Sequence, residues 1–230
     1  MMRYKPMLAY PVSKKPIDYK SKIFVQPKLD GVRCVIQCDD SVITAYSRTG
    51  KEWKNIDHIL FNLKGFFELN PGVVLDGELY NHELRDDFEK IISCVRKTKP
   101  TGEHRNESKE LVQFHCYDVI LDALKTHDNA NFDVRDEWIK YNVPNNNYVR
   151  HVESEEHFSE DGARMRHGKN LQAGYEGSIV RIYARYLDMR SHNLRKFKDF
   201  HDSEAVLLSW VEGKGKRVGT IGKFMAVDRE

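Results

Sequence analysis

The chain has 230 residues, 40% of them apolar, and a formal net charge of +2 from 37 Lys and Arg against 35 Asp and Glu. That length suits one large domain, or a medium domain with a small appendage, and can bury a real core. The near-neutral balance excludes a global positive field, so a nucleic-acid partner would be met by a local patch. No apolar run reaches bilayer length, and no apolar stretch follows Met1 as in a secretory leader, so the expectation is a soluble, intracellular protein with no membrane contact. Cys34, Cys38, Cys94 and Cys116 form no Cys-x-x-Cys pair and no zinc-finger spacing, which points to free thiols in a reducing compartment.

In chain order, residues 22–28, 31–37 and 41–46 are short apolar or β-branched runs broken at Asp30-Gly31 and Asp39-Asp40, the pattern of an antiparallel meander. Ile56, Ile59, Leu60, Leu63 and Phe67 recur at helical spacing, as do Leu84, Phe88, Ile91, Ile92 and Val95, and predict two amphipathic helices. Between them Val73-Val74-Leu75 runs into Asp76-Gly77-Glu78-Leu79-Tyr80, a strand ending in carboxylates. The polar stretch 96–110, with Pro100 and Gly102, reads as an exposed loop. A buried strand over 111–121 follows, then a helix near 134–141 behind the caps Asn131 and Asp133, and a further helix over about 154–171. Strands are predicted at 177–183 and around 194–197. The pattern changes after Phe200, which places a domain boundary at 200–203: residues 1–201 form the main domain, and 202–230 are too few to fold alone.

Five polar constellations sit at the ends of these strands. Lys28-Leu29-Asp30-Gly31-Val32-Arg33 sets a lysine behind the apolar Ile23, Phe24 and Val25. A free lysine is protonated at neutral pH and attacks nothing until burial or cationic neighbours favour the neutral amine. Gly31 fits a tight turn through its freedom to take positive φ. Read alone, the hexapeptide equally describes a hairpin turn with a solvated lysine. Ser47-Arg48-Thr49-Gly50, Asp76-Gly77-Glu78, Phe114 to Asp118 with its Tyr117, and Glu176-Gly177-Ser178-Ile179-Val180-Arg181 followed by Lys196-Phe197-Lys198 are each equally generic. Lys196 and Lys198 share a strand face, as a phosphate clamp requires.

Taken together, in this order and spacing, these pieces resemble the covalent nucleotidyltransferase superfamily and most closely the small, minimal ATP-dependent DNA ligases found in viruses and some bacteria. The resemblance implies an α+β fold: an ATP-grasp-like nucleotidyltransferase domain of antiparallel sheets flanked by helices, then the first hairpin of an OB-fold barrel in 202–230. It implies that Lys28 carries AMP from ATP to the 5′-phosphate of nicked double-stranded DNA, where the 3′-hydroxyl then displaces AMP. It assigns Lys196 and Lys198 to the α-phosphate, Gln26 to the base edge, Tyr117 and Ile179 to the faces of the adenine, and Arg33 and Arg181 to the nucleotide site. Arg181 stands where many members have lysine. Glu78 would meet the ribose or a metal, Glu176 would bind Mg2+, and Arg33 and Arg48 would meet the nick phosphates. The protein would act as a monomer in DNA repair, replication or recombination, in the cytoplasm or inside an infected cell. Because only the first hairpin of the barrel is present and the family's last motif is absent, the expectation is a truncated chain with impaired sealing. An RNA ligase, a GTP-using capping enzyme and an inactive nucleic-acid-binding module on the same scaffold are the rival readings.

Overall fold

A computed structural model describes residues 1–2, 4–121, 130–198 and 204–228, and the chain divides into two compact units, Met1–Lys198 and Asp199–Glu230. The domain boundary expected at 200–203 lies outside the described residues. Among the described residues no helix is long and apolar enough to cross a membrane.

The first unit holds two five-stranded sheets. Sheet one comprises β1 (Leu8–Pro11), β2 (Ile23–Lys28), β8 (Glu155–His157), β9 (Gly177–Ile182) and β10 (Arg190–Phe197), in the order β1-β10-β9-β2-β8. Sheet two comprises β3 (Val32–Asp39), β4 (Val42–Tyr46), β5 (Val74–Tyr80), β6 (Gln113–Ile120) and β7 (Val149–His151), in the order β4-β3-β5-β6-β7. Most pairings are antiparallel; β1 with β10 and β6 with β7 run parallel.

This topology corrects the expected meander. The strand carrying Lys28 pairs with β9 and β8, and the strand carrying Arg33 pairs with β4 and β5. The Asp30-Gly31 segment is therefore a crossover from one sheet to the other, not a hairpin. Gly31 has no left-handed φ. Its lack of a side chain is required instead by crowding, because a Cβ there would sit 2.5 Å from the Leu79 carbonyl oxygen and 2.7 Å from Glu78 Cγ.

Helices α1 (Asp57–Asn62), α2 (Lys64–Leu69), α3 (Phe88–Val95) and α4 (Gly102–Leu111) cover the outer face of sheet two, and α5 (Phe132–Asn142) packs against β6. The largest core lies beneath them, with Ile56, Ile59, Leu63, Phe67, Leu75, Cys94 and Phe114 all buried; each such aliphatic side chain contributes roughly 1.5–3 kcal/mol. Helix α6 (Glu160–Gln172) covers the outer face of sheet one, where Ile23, Val25, Ala163 and Val180 are buried together. Met7, Val35, Val74, Ile120, Tyr186 and Leu194 fill the space between the sheets. The cysteines are free and buried.

Three helical readings are revised. The first residues of the helix expected over about 154–171 form strand β8, and α6 begins only at Glu160, behind the Ser159 cap. The run 56–67 forms two short helices that meet at Leu63. The stretch 96–110, expected to be a loop, contains α4: Thr101 Oγ1 accepts from the His104 N–H at 3.4 Å, and His104 Nδ1 accepts from the Thr101 N–H at 3.1 Å, a reciprocal cap. This helix is anchored by polar contacts rather than an apolar stripe. Buried Ser108 donates to the Asn55 carbonyl at 2.5 Å, and the Asn55 amide donates to Cys94 O and His104 O at 2.9 and 3.0 Å.

The second unit is a hairpin of β11 (Ala205–Glu212) and β12 (Ile221–Asp228). Leu207, Leu208, Trp210 and Val211 are all exposed. No closed barrel is formed among the described residues, and a two-stranded ribbon has only marginal stability in water.

Candidate active site

Side chains alternate between the faces of a strand, and in β2 this sends Ile23 and Val25 to the α6 side and Gln26 and Lys28 to the inter-sheet cleft. Neighbouring β9 and β10 deliver Ile179, Arg181, Leu194 and Lys196 to the same cleft, while sheet two supplies Arg33, Glu78 and Tyr117. Together with Leu29 and Arg48 they line a cavity of about 270 Å³. Pro27 tolerates its position in β2 because the pairing with β8 has already ended at Val25, leaving a local edge there.

Lys28 Nζ is held by Glu176, and the other carboxylate oxygen of Glu176 holds Lys198 Nζ. Gly177 makes this approach possible: its φ is +151°, and a Cβ there would meet Phe197 O at 2.3 Å. Burial pushes the Lys28 amine below its ordinary value, opposed by the charges of Glu78 and Asp30. Lys198 is likewise lowered, first by burial and then by Lys28 beside it. The cluster thus holds two cations on one carboxylate.

Glu78 accepts a hydrogen bond from Tyr117 Oη at 3.1 Å. Burial pushes its carboxyl up to about 7, against the pull of Arg33, the Tyr117 hydroxyl and Lys28. Burial also raises the Tyr117 phenol, so this hydroxyl is a donor at neutral pH. The Arg33 and Arg181 guanidinium groups lie 5.1 and 5.4 Å from the centroid of the Tyr117 ring.

Three of the residues expected to face a ligand spend their polar groups inside the protein. Arg33 Nε donates to Asp76 at 2.6 Å, and Nη2 donates to the second Asp76 oxygen and to Met7 O. Burial lowers this guanidinium, yet Asp76 outweighs it and leaves Arg33 well above its ordinary value. Arg181, 3% exposed, donates to Gln26 Oε1 and to Asp118, both at 2.5 Å. The Gln26 amide donates to Tyr117 O at 3.3 Å and to Ser154 Oγ at 2.9 Å. Asp118 also receives Arg135 at 2.7 Å, and although burial raises its carboxyl, the two arginines hold it below the usual range. Sequence reasoning missed this four-residue network because it took Asp118 only as the end of the Phe114–Asp118 stretch, and Arg135 carries no motif spacing. It also missed Arg190, an exposed cation at the cavity rim. Lys196 and Arg48 have no carboxylate within 4 Å among the described residues.

Among the described residues no cluster of three or more His, Cys, Asp or Glu converges on a metal position. The donors that exist are Glu78, half-protonated near neutral pH, and Glu176, neutralised by two lysines. Mg2+ is commonly bound by one or two carboxylates plus substrate phosphates, so this set fits a metal that arrives with a polyphosphate and not one bound alone.

The profile of the ATP dependent DNA ligase domain matches residues 6–198. A DNA ligase of African swine fever virus (isolate Tick/South Africa/Pretoriuskop Pr4/1996) is 32% identical over 219 residues, covering 91% of this chain and 50% of the viral protein. The chain thus spans about half the length of the curated relatives it matches. Among solved structures, a Lig E DNA ligase superposes with a TM-score of 0.73 at 23% identity over 99% of this chain and 81% of that one. Chlorella virus DNA ligase-adenylate superposes with a TM-score of 0.62 at 20% identity over 98% and 82%. At these identities the superpositions establish the fold.

Proposed function

The chain belongs to the ATP-dependent DNA ligase domain family, and from that premise we propose that it activates and seals nicks in duplex DNA through an AMP adduct on Lys28. The observation that carries the reading is the placement of Lys28: a partly buried amine with a lowered proton affinity, at the wall of a cavity that Tyr117 enters from one sheet and Ile179 from the other.

In the first step the neutral amine attacks the α-phosphorus of ATP. A P–N bond forms, the bond to pyrophosphate breaks, and the amine loses a proton. Glu176 must release Lys28 for this, and the incoming phosphates provide the competing anion for both Lys28 and Lys198. Lys196, with no carboxylate within 4 Å among the described residues, is assigned to the α-phosphate, since phosphoryl transfer asks chiefly for positioning and charge neutralisation. Tyr117 and Ile179 bracket the adenine, and the Gln26 amide, fixed by Arg181, meets the base edge with its remaining lone pair. Glu78 is assigned to the ribose hydroxyls. Glu176 would hold Mg2+, which would supply Lewis-acid charge stabilisation to the transferring phosphoryl group.

In the second step a 5′-phosphate oxygen of the nick takes the AMP, the P–N bond breaks and the amine is released. In the third the 3′-hydroxyl attacks that phosphate and AMP leaves. Arg48, exposed at the cavity rim, is assigned to the nick phosphate. Arg33 acts on the nucleotide side, because Asp76 holds its guanidinium fork. The hairpin of β11 and β12 is read as the opening strands of an oligonucleotide-binding barrel, and the protein as a monomer on its substrate.

The test is a sealing assay on a nicked duplex with a labelled 5′-phosphate, ATP and Mg2+. The reading predicts label in AMP–DNA and then in closed strand, and neither with Lys28→Ala. Label that stays on the open strand with wild-type protein carrying AMP would restrict the chain to nucleotide activation and overturn the sealing assignment.

A further inference from the structure

Gln26 lines the nucleotide cavity and is otherwise buried. Its amide carries two N–H donors at one end and an acceptor oxygen at the other, and only the partners decide which end faces which way. Here the partners agree. Arg181 Nε, which can only donate, gives its proton to Gln26 Oε1 at 2.5 Å. Tyr117 O, which can only accept, takes one Nε2 hydrogen at 3.3 Å, and Ser154 Oγ takes the other at 2.9 Å. The Tyr117 carbonyl is free to do this because Tyr117 is the extra residue of a bulge in β6: Cys116 pairs with Gly77 and Asp118 with Asp76, and Tyr117 is opposite no residue of β5.

Ser154 is the one ambiguous member, since a hydroxyl can donate or accept. Asp136 removes the ambiguity. Ser154 Oγ donates to Asp136 Oδ1 at 2.6 Å, and Lys140 Nζ donates to Asp136 Oδ2 at 2.6 Å. With its single proton committed to a carboxylate, the Ser154 oxygen can only accept from Gln26. The result is a directed chain: Lys140 and Ser154 donate into Asp136, Gln26 donates into Ser154, and Arg181, anchored by Asp118, donates into the far end of Gln26. Its members come from every layer around the cavity. Gln26 and Arg181 lie in sheet one, Tyr117 and Asp118 on β6 of sheet two, Asp136 and Lys140 four residues apart on α5, and Ser154 in the link from β7 to β8. Neither Ser154 nor Asp136 lines the cavity, so each acts through Gln26.

We propose that Ser154 and Asp136 are positioning residues that set the choice of adenine over guanine in the nucleotide step, by spending both N–H groups of Gln26 and leaving the second lone pair of Oε1 as what its amide offers a base. That lone pair accepts from the N6 amino group of adenine and repels O6 of guanine, which stands at the corresponding ring position. Turning the amide over to serve guanine would set Nε2 against the Arg181 Nε donor and Oε1 against the Tyr117 carbonyl, leaving buried polar groups unpaired. The proposal rests on the ligase reading, with Gln26 at the base edge.

The experiment measures formation of the lysyl-nucleotide adduct from ATP and from GTP, with kcat and KM resolved separately, in the full chain and in its Ser154→Ala and Ser154→Thr variants. Equilibrium binding of non-hydrolysable ATP and GTP analogues is measured in parallel. Ser154→Ala releases one Gln26 N–H to meet guanine O6, so the ATP-to-GTP ratio of kcat/KM is expected to fall about 10-fold or more through a gain with GTP, while kcat from ATP stays within about 3-fold of wild type. Ser154→Thr keeps the hydroxyl and is expected to keep the wild-type ratio. A merely structural role would lower both nucleotides together. An unchanged ratio in Ser154→Ala, or an equal fall in Ser154→Thr, would overturn the proposal. Wild-type protein that binds the analogues but forms no adduct would sink the ligase reading instead, and the ratio of analogue affinities across the variants would still decide the role of Ser154; wild-type protein that binds neither analogue would overturn both.

Discussion

Replacing Gly31 by alanine probes the point where the chain crosses from the sheet of Lys28 to the sheet of Arg33. The new Cβ would lie 2.5 Å from a backbone oxygen, at least 0.5 Å inside the 3.0 Å that real Cβ atoms respect, and 2.7 Å from Glu78 Cγ. The first obstacle is main chain in β5 and cannot rotate away, so the crossover itself must shift. Overpacking of this kind costs about 1–3 kcal/mol, or about 2–12 °C in Tm for a chain of this size. Lys28 is three residues away, and a displacement of about 1 Å at a reacting group costs on the order of 10²-fold in rate. Gly168→Ala is the matching control: it lies inside α6 with nothing within 4 Å of a Cβ, so it should raise stability by about 1 kcal/mol. Thermal unfolding and the rate of AMP labelling measure both effects. Gly31→Ala that melts and labels like wild type would refute the claim that this glycine is fixed by crowding.

Glu78, with a folded pKa of about 7 against an ordinary 4.5, keeps its proton in the folded state where the unfolded chain has lost it. Its contribution to stability therefore falls as pH rises from about 4.5 to about 7, by up to about 3 kcal/mol; Glu78→Gln should flatten the Tm profile across that window, and an unaltered slope would contradict the burial argument. Asp118, fully buried between Arg135 and Arg181, predicts a loss of about 3–5 kcal/mol in Asp118→Asn, read by urea unfolding; a loss below about 1 kcal/mol would contradict it. Titration calorimetry should detect Mg2+ binding with a non-hydrolysable ATP analogue and none without nucleotide, since Glu176 is occupied by two lysines; strong binding to the free protein would show that the carboxylates are available after all.

The sequence and the structure agree where residue order carries the signal and part where packing does. Lys28, Glu176 and Lys198 lie far apart along the chain, and their convergence followed from the ordered motifs alone. The Asp30-Gly31 crossover was misread because a sheet-to-sheet turn and a hairpin share the same two residues, and only the pairing of β2 with β9 separates them. Helix α4 was invisible to apolar periodicity, and its cap uses His104 where the usual signature has Glu or Gln. Gln26, Arg33 and Arg181 line one cavity, but a linear sequence does not show that Asp76, Asp118 and Ser154 occupy their polar groups first. Strand β1 has four residues and, among the described residues, pairs with β10 alone, too little local pattern to announce itself.

The central claim is that Lys28 is the nucleophile. Incubation with α-labelled ATP, GTP or NAD in Mg2+, followed by peptide mapping, tests it most directly. The account predicts an acid-labile AMP adduct from ATP, confined to the peptide containing Lys28 and absent in Lys28→Ala. Label on another residue, or undiminished label in Lys28→Ala, would contradict it.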